Sequence, residues 1–233
     1  MSKKSILARS LHKWLALIVG VQALIWFISG AYMTIVPLNM IHGDHLEHSH
    51  QAPLNLQEIG KLPGMQKIEG LQRKYERFEL STLVDRPVIK LSTGKSTEMF
   101  DLQTGDLLTP ITVQTAEAIA KSAYTGKAAI AGTDWITKAP QEVARRPVPM
   151  WAVRFDDLGK TTFYISPQTG EIMARRHQLW RIFDFVWMFH IMDYENRVDV
   201  HNNLLRAAII AAMLMACSGI WLLLYSFNRR PAK

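Results

Sequence analysis

The chain reads as an α+β membrane protein in which two transmembrane helices flank an extracytoplasmic domain of two helix-plus-antiparallel-hairpin repeats. Three observations predict this. Two long apolar runs lie near the ends, the basic excess is confined to the two tails, and a short motif at Met99–Leu108 recurs at Tyr164–Met173, an offset of 65 residues.

The first run, Trp14–Val36, has 23 residues and no formal charge. At 1.5 Å per residue that is enough to cross a hydrocarbon core of about 30 Å. It is longer than the apolar segment of a secretory signal, and Ala31-Tyr32-Met33 is a poor cleavage site, so an uncleaved anchor is expected. The second run, Leu204–Phe227, carries Arg206 close enough to its start to snorkel. Gly20, Gly30 and Gly219 let membrane helices approach closely, and Trp14, Trp221 and Tyr225 suit the interfaces.

The formal net charge is +7, and the tails hold seven basic residues (Lys3, Lys4, Arg9, Lys13, Arg229, Arg230, Lys233) with no acidic one. The remaining 20 basic and 20 acidic residues, all within 37–206, cancel. By the positive-inside rule both termini are expected in the cytoplasm of a bacterial inner membrane, with the main domain periplasmic. The basic balance is therefore a topology signal, and no nucleic-acid partner is expected. The single cysteine, Cys217, lies within the second run and has no partner for an intrachain disulfide.

Between the runs, MFDLQTGDLL and YISPQTGEIM each place a strand before Gln-Thr-Gly-acidic and apolar residues after it. Gly105 and Gly170 supply the turn of a hairpin. Strands are expected upstream at Arg86–Ser92 and Met150–Phe155, and helices at Leu56–Gly60 and Thr112–Ala123, the latter with Thr112 as N-cap. The expected organisation is a tail 1–13, a span 14–36, a histidine-rich linker 37–51, repeats 52–110 and 111–176, an aromatic interfacial helix and connector 177–203, a span 204–227 and a tail 228–233.

All eight histidines lie outside residues 51–176, where the chain meets the membrane. Imidazole is the commonest protein metal ligand and the usual axial ligand of haem, so this placement points to a metal or haem at the membrane edges. The stripe Trp180, Phe183, Trp187, His190, Tyr194 has helical spacing. On one continuous helix His190 and His201 are 11 residues apart and share a face; a break near Glu195-Asn196-Arg197 would separate them. Asp193 and Asp199 are the carboxylates expected to support these imidazoles. His42 and His45 form an i, i+3 pair suited to iron, zinc or copper, with His48 and His50 as a weaker continuation. His12 stands alone at the cytoplasmic edge and gains a role in a homodimer, where two copies would face each other inside a four-helix bundle. His177 is expected to be a bystander. The chain has no G-x-S-x-G, H-E-x-x-H, P-loop or G-x-G-x-x-G motif, which argues against the common hydrolase, phosphate and dinucleotide chemistries.

The hairpin motif Asp101-Leu-Gln-Thr-Gly-Asp resembles that of the PepSY domain, although the second copy has Ser166-Pro in place of its acidic start. The whole chain resembles the PepSY-associated transmembrane family through Leu11-His12-Lys13-Trp14, Ser29-Gly30, Ile41-His-Gly-Asp-His45, Pro149-Met-Trp-Ala-Val-Arg-Phe-Asp-Asp, the Trp180–Tyr194 stretch and Ser218-Gly219. Larger members have more spans and are linked to reduction of ferric iron or ferric siderophores through haem b. The resemblance implies a redox component of iron acquisition, with haem b or iron held by His190, His201 and His12, and by His42 and His45. It also implies an electron donor, either a flavin reductase or quinol, and a ferrous iron transporter as consumer. Two alternatives stand beside it: a membrane-tethered PepSY module that restrains a protease or scaffolds an envelope complex, and capture of metal without redox chemistry.

Overall fold

The computed structural model describes residues 3–48, 59, 61–69, 75–94 and 96–227. His50, and the helix expected over Leu56–Gly60 apart from Ile59, lie outside them. The chain forms two compact units, one joining its two ends (up to Leu38 and from Ile182), the other running Asn39–Arg181.

The first unit is helical. Helix α1 spans Lys3–Ile35, about 50 Å at 1.5 Å per residue, and is followed by the short α2, Leu38–His42. Arg9–Ile35 and Asn203–Leu224 are each long and apolar enough to cross a membrane. Few of their residues are enclosed: Leu17, Ile18, Phe27 and Ile28 on the first and Ile210, Met213 and Leu214 on the second are exposed. Such a continuous apolar exterior belongs in hydrocarbon rather than water.

The expected interfacial helix exists over Gln178–Ile191, and the second span is a helix over Asn203–Phe227. They are not continuous. Met192 and Arg197 take positive φ values of 55° and 59°, a backbone that no helix continues through. The break is held by one side chain. Asp193 Oδ2 accepts the amides of Val198 and Asp199, both at 2.9 Å, and its Oδ1 accepts those of Asn196 at 3.1 Å and Glu195 at 3.3 Å. These amides, Asp199 foremost, hold the Asp193 carboxyl down at about 2. Arg197 closes the loop on Asp184 at 2.6 Å.

The second unit contains two antiparallel sheets. Strands β1 (Arg77–Leu83), β2 (Arg86–Ser92) and β3 (Thr97–Asp101) form the first, in sequential order. Strands β4 (Ile130–Ile136), β5 (Met150–Phe155), β6 (Thr162–Ile165) and β7 (Ile172–Arg176) form the second. Helix α3 is Pro63–Glu69 and α4 is Val113–Ala123; Thr112 caps α4 by accepting the Thr115 amide. The apolar face of α4 (Ala116, Ile119, Ala120, Ala123) joins Val88 and Met99 of the first sheet to Val153, Phe155 and Phe163 of the second in one core. Ile68 covers the other face of the first sheet with Ile89, Leu91 and Phe100. Numbering the remaining helices in order, Gln178–Ile191 is α5 and Asn203–Phe227 is α6.

The repeated motif is a turn device. In the first copy Asp101 Oδ1 accepts the amides of Gln103 and Thr104, at 2.7 and 3.3 Å, and Thr104 Oγ1 accepts that of Asp106. In the second copy Ser166 Oγ accepts Gln168 and Thr169, at 3.3 and 3.2 Å, and Thr169 Oγ1 accepts Glu171. Serine therefore does the aspartate's work, while Gly105 (φ 76°) and Gly170 (φ 69°) take the left-handed backbone between them. The second copy is a full β6–β7 hairpin; in the first, the returning strand shrinks to the single bridge Phe100–Leu107. Pro110, just beyond it, has no amide with which to extend a ladder.

Candidate functional site

Two Ser-Gly pairs, one on each long helix of the first unit, receive a histidine. Ser29 on α1 is 3% exposed, and its Oγ lies 2.7 Å from His190 Nδ1 at the end of α5. The hydroxyl has one proton and also lies 2.7 Å from the Ile25 carbonyl and 3.2 Å from that of Trp26. With that proton on a carbonyl, Nδ1–H of His190 donates to Ser29 Oγ and Nε2 of the neutral ring carries the lone pair; with it on Nδ1, the tautomer is reversed. On α6, Ser218 Oγ donates to the Met215 carbonyl at 2.8 Å and lies 3.0 Å from His12 Nδ1. The His12–Ser218 pair thus has the same two-way arrangement as His190–Ser29.

The glycines that follow admit the rings. A Cβ on Gly30 would lie 4.0 Å from His190 Cε1, and one on Gly219 would lie 3.2 Å from His12 Cε1. Neighbouring side chains steady the first seat. Trp26 Nε1 donates to the His190 carbonyl at 2.9 Å and Gln22 Nε2 to that of Phe189 at 3.3 Å, so α1 holds the last turn of α5. The rings of Phe183, Trp187 and His190 stack in sequence, 6.2 Å apart at each step. Beside them an apolar cavity of about 340 Å³ is lined by Ile25, Ile28, Ser29, Phe185, Val186 and Phe189.

The two seats occupy opposite ends of the helix pair. From His12 to Ser29 is 17 residues of α1, roughly 25 Å of rise, too far for both imidazoles to reach one metal. A bare Nε2 on a ring whose other nitrogen is tied down is the arrangement of a metal-ligating histidine, here with serine in the place where a carboxylate was expected.

The other residues singled out from the sequence fall elsewhere. His201 lies in the loop after the break and is exposed; its backbone amide donates to Asp199 Oδ1 at 2.7 Å. Asp193 and Asp199 thus bond backbone amides. In the second unit His42 and His45 are exposed, and Arg175 pairs with Asp44 and Glu47 close by. Among the described residues no three His, Cys, Asp or Glu side chains group so as to hold a metal ion.

His177 is the structural surprise. It is buried, its Nε2–H donates to the Ile41 carbonyl at 3.2 Å, and its ring meets His45 edge-on with centroids 5.7 Å apart. Gly43, at φ 75°, turns tightly enough that a Cβ would sit 3.3 Å from His177 Cδ2. Burial lowers the His177 pKa, and the charges of His45 and Arg181 lower it further, against the raising effect of the bond to Ile41.

No curated protein and no solved structure matches the chain. The family model of the PepSY-associated TM region matches residues 9–233, nearly the full length, with the two candidate spans at either end of the match. The chain belongs to the PepSY-associated TM region family and is a membrane protein carrying a PepSY-type domain between its two long apolar helices.

Proposed function

We propose that the protein passes electrons to ferric iron at the periplasmic face of a bacterial inner membrane, as a redox component of iron acquisition. The observation that carries this reading is the pairing of Nδ1 of His190 with Ser29 and of His12 with Ser218 inside the helical unit, which leaves Nε2 as the ring nitrogen outside that bond. For haem b, Ser29 and Ser218 would orient the imidazoles, Gly30 and Gly219 lie against the rings, and an open apolar pocket lies beside Ser29 and Phe189. Bound there, the group would supply a reversible one-electron couple. His190 and His12 would hold it, Ser29 and Ser218 would aim their rings, and Phe185, Val186 and Phe189 would border it on the His190 side.

The net reaction is Fe(III) plus one electron to Fe(II), with the electron drawn from membrane quinol or from a partner flavin reductase and the product released towards a ferrous transporter. The seven basic tail residues support an orientation with both termini in the cytoplasm. That puts the His12 seat on the donor side and the His190 seat on the acceptor side. The test is ferric-chelate reduction by cells expressing the full chain, followed with a ferrous-trapping dye. Wild type should exceed the empty host, and His190→Ala should fall to the host level. Equal rates in all three would refute the reading.

A further inference from the structure

We infer that the turn between β5 and β6 is a further membrane anchor, with Leu158 at its tip seated among the lipid headgroups of the bilayer that the chain itself spans. The turn is firmly held. Asp157 Oδ1 accepts the Thr161 amide at 2.7 Å, and its Oδ2 accepts the hydroxyls of Thr161 at 2.6 Å and Tyr124 at 3.0 Å. The Lys160 amide donates to the Asp157 carbonyl at 3.0 Å, and the Gly159 carbonyl accepts the Gln178 amide at 2.7 Å. Turn positions ordinarily go to glycine, asparagine, aspartate or serine, which serve the bend itself. Here Asp157 and Gly159 do that, and Leu158 between them is fully exposed.

A single exposed leucine on a protein surrounded by water carries no meaning by itself. Its place in the chain gives it one. The unit Asn39–Arg181 continues into the membrane helices at both its ends, and those ends are tied together, because His177 Nε2 bonds the Ile41 carbonyl at 3.2 Å. The β5–β6 turn is fastened to the same place. Besides the bond from Gln178, the Lys160 carbonyl accepts Arg181 Nη1 at 3.0 Å, and Ile182 is the next residue of α5. Within the helical unit Phe183 meets Tyr32, with ring centroids 6.5 Å apart, one helical turn before the first apolar run ends at Val36. So α5 reaches the edge of the hydrocarbon two residues after the arginine that holds the turn. Two residues rise about 3 Å, and the headgroup layer is about 5–8 Å deep, which places the turn in that layer. There Leu158 removes apolar surface from water, and Lys160, exposed beside it, can reach lipid phosphates. Trp180, with the Arg176 guanidinium 4.0 Å from its ring, is a residue type of the same layer. The bilayer is the occupant because the chain's own connectivity brings that apolar surface to the turn.

The experiment uses the full-length chain carrying Cys217→Ser, with either Leu158→Cys or Gln168→Cys reacted with an environment-sensitive maleimide dye. The protein is placed in vesicles of phosphatidylcholine and phosphatidylglycerol. Gln168 is the control, exposed in the turn at the opposite end of β6. We expect the dye at position 158 to emit further to the blue than the control. Lipid bearing a nitroxide near its headgroup should quench it several-fold more, and aqueous iodide less. Equal quenching at the two sites overturns the inference. So does a dye at position 158 that is sheltered from iodide yet untouched by nitroxide lipid, because a protein surface then covers the turn. Neither outcome bears on ferric reduction, and the dye reads the same in protein without cofactor.

Discussion

Ser29 and His190, 161 residues apart in the chain, meet at 2.7 Å through the serine hydroxyl and the imidazole Nδ1. With its proton on the Ile25 carbonyl, 2.7 Å away, the serine meets Nδ1 through an acceptor lone pair, and the tautomer of His190 tests that direction. Replacing Ser29 by Ala should free Nδ1 and mix the two tautomers, whereas Ser29→Thr keeps the hydroxyl. Nitrogen-15 NMR of labelled histidine reads the tautomer directly, with no cofactor needed. Where cofactor is present, loss of such an orienting partner costs about 10–100-fold in affinity. An unchanged tautomer in Ser29→Ala would remove the serine from the account.

The two glycines should differ. Gly219→Ala places a methyl 3.2 Å from His12 Cε1, closer than relaxed packing allows, while Gly30→Ala makes an ordinary contact at 4.0 Å. Thermal unfolding in detergent should show Gly219→Ala destabilised by about 1–3 kcal/mol, the usual range for overpacking. Gly30→Ala should stay close to wild type. The reverse order would mean that His12 does not lie on Gly219.

His177 should make the Ile41–His45 turn sensitive to acid. Its pKa in the folded chain lies below the unfolded value near 6.5, so the unfolded form binds the extra proton and stability falls as pH drops from about 7 through the folded pKa. Hydrogen-exchange protection of residues 41–46, each rate taken relative to the intrinsic rate at that pH, should fall over that range. His177→Gln should be less protected at neutral pH and lose that pH dependence of protection. The groups facing the ring are His45 and Arg181, with Arg175, Asp44 and Glu47 paired nearby, so a dependence that survives His177→Gln would move the effect to His45.

The turn motif predicts a tolerant substitution at a buried acid. Asp101→Ser should cost little, because Ser166 already caps the equivalent turn, whereas Asp101→Ala strands the amides of Gln103 and Thr104. The expected penalty for alanine is about 1–3 kcal/mol, read from denaturant midpoints of the full chain. Equal penalties for Ser and Ala would contradict the equivalence of the two turns.

What could be read from the sequence was mostly local. Charge-free length marks the spans, Gln-Thr-Gly-acidic marks both turns, and β2, β5 and the Thr112 cap lie where alternation and capping chemistry put them. The alignment of His190 with His201 fails because Asp193 gathers four backbone amides in the span of six residues, a loop that helical spacing does not reveal. The roles of Ser29, Ser218 and His177 were hidden for another reason. Their partners are 161, 206 and 136 residues away, and no periodicity links such positions. The Ser-Gly pairs are visible as dipeptides, but only the packing of α1 with α5 and α6 turns them into seats for imidazole.

The central claim is that His190 and His12 hold an iron-porphyrin, and the most direct measurement is the dithionite-reduced minus oxidised absorption spectrum of detergent-purified protein. Wild type should give a b-type spectrum that is diminished in both His190→Ala and His12→Ala and absent from the double variant, with His201→Ala unchanged. A wild-type protein without that spectrum, or a double variant that keeps it, would contradict the account.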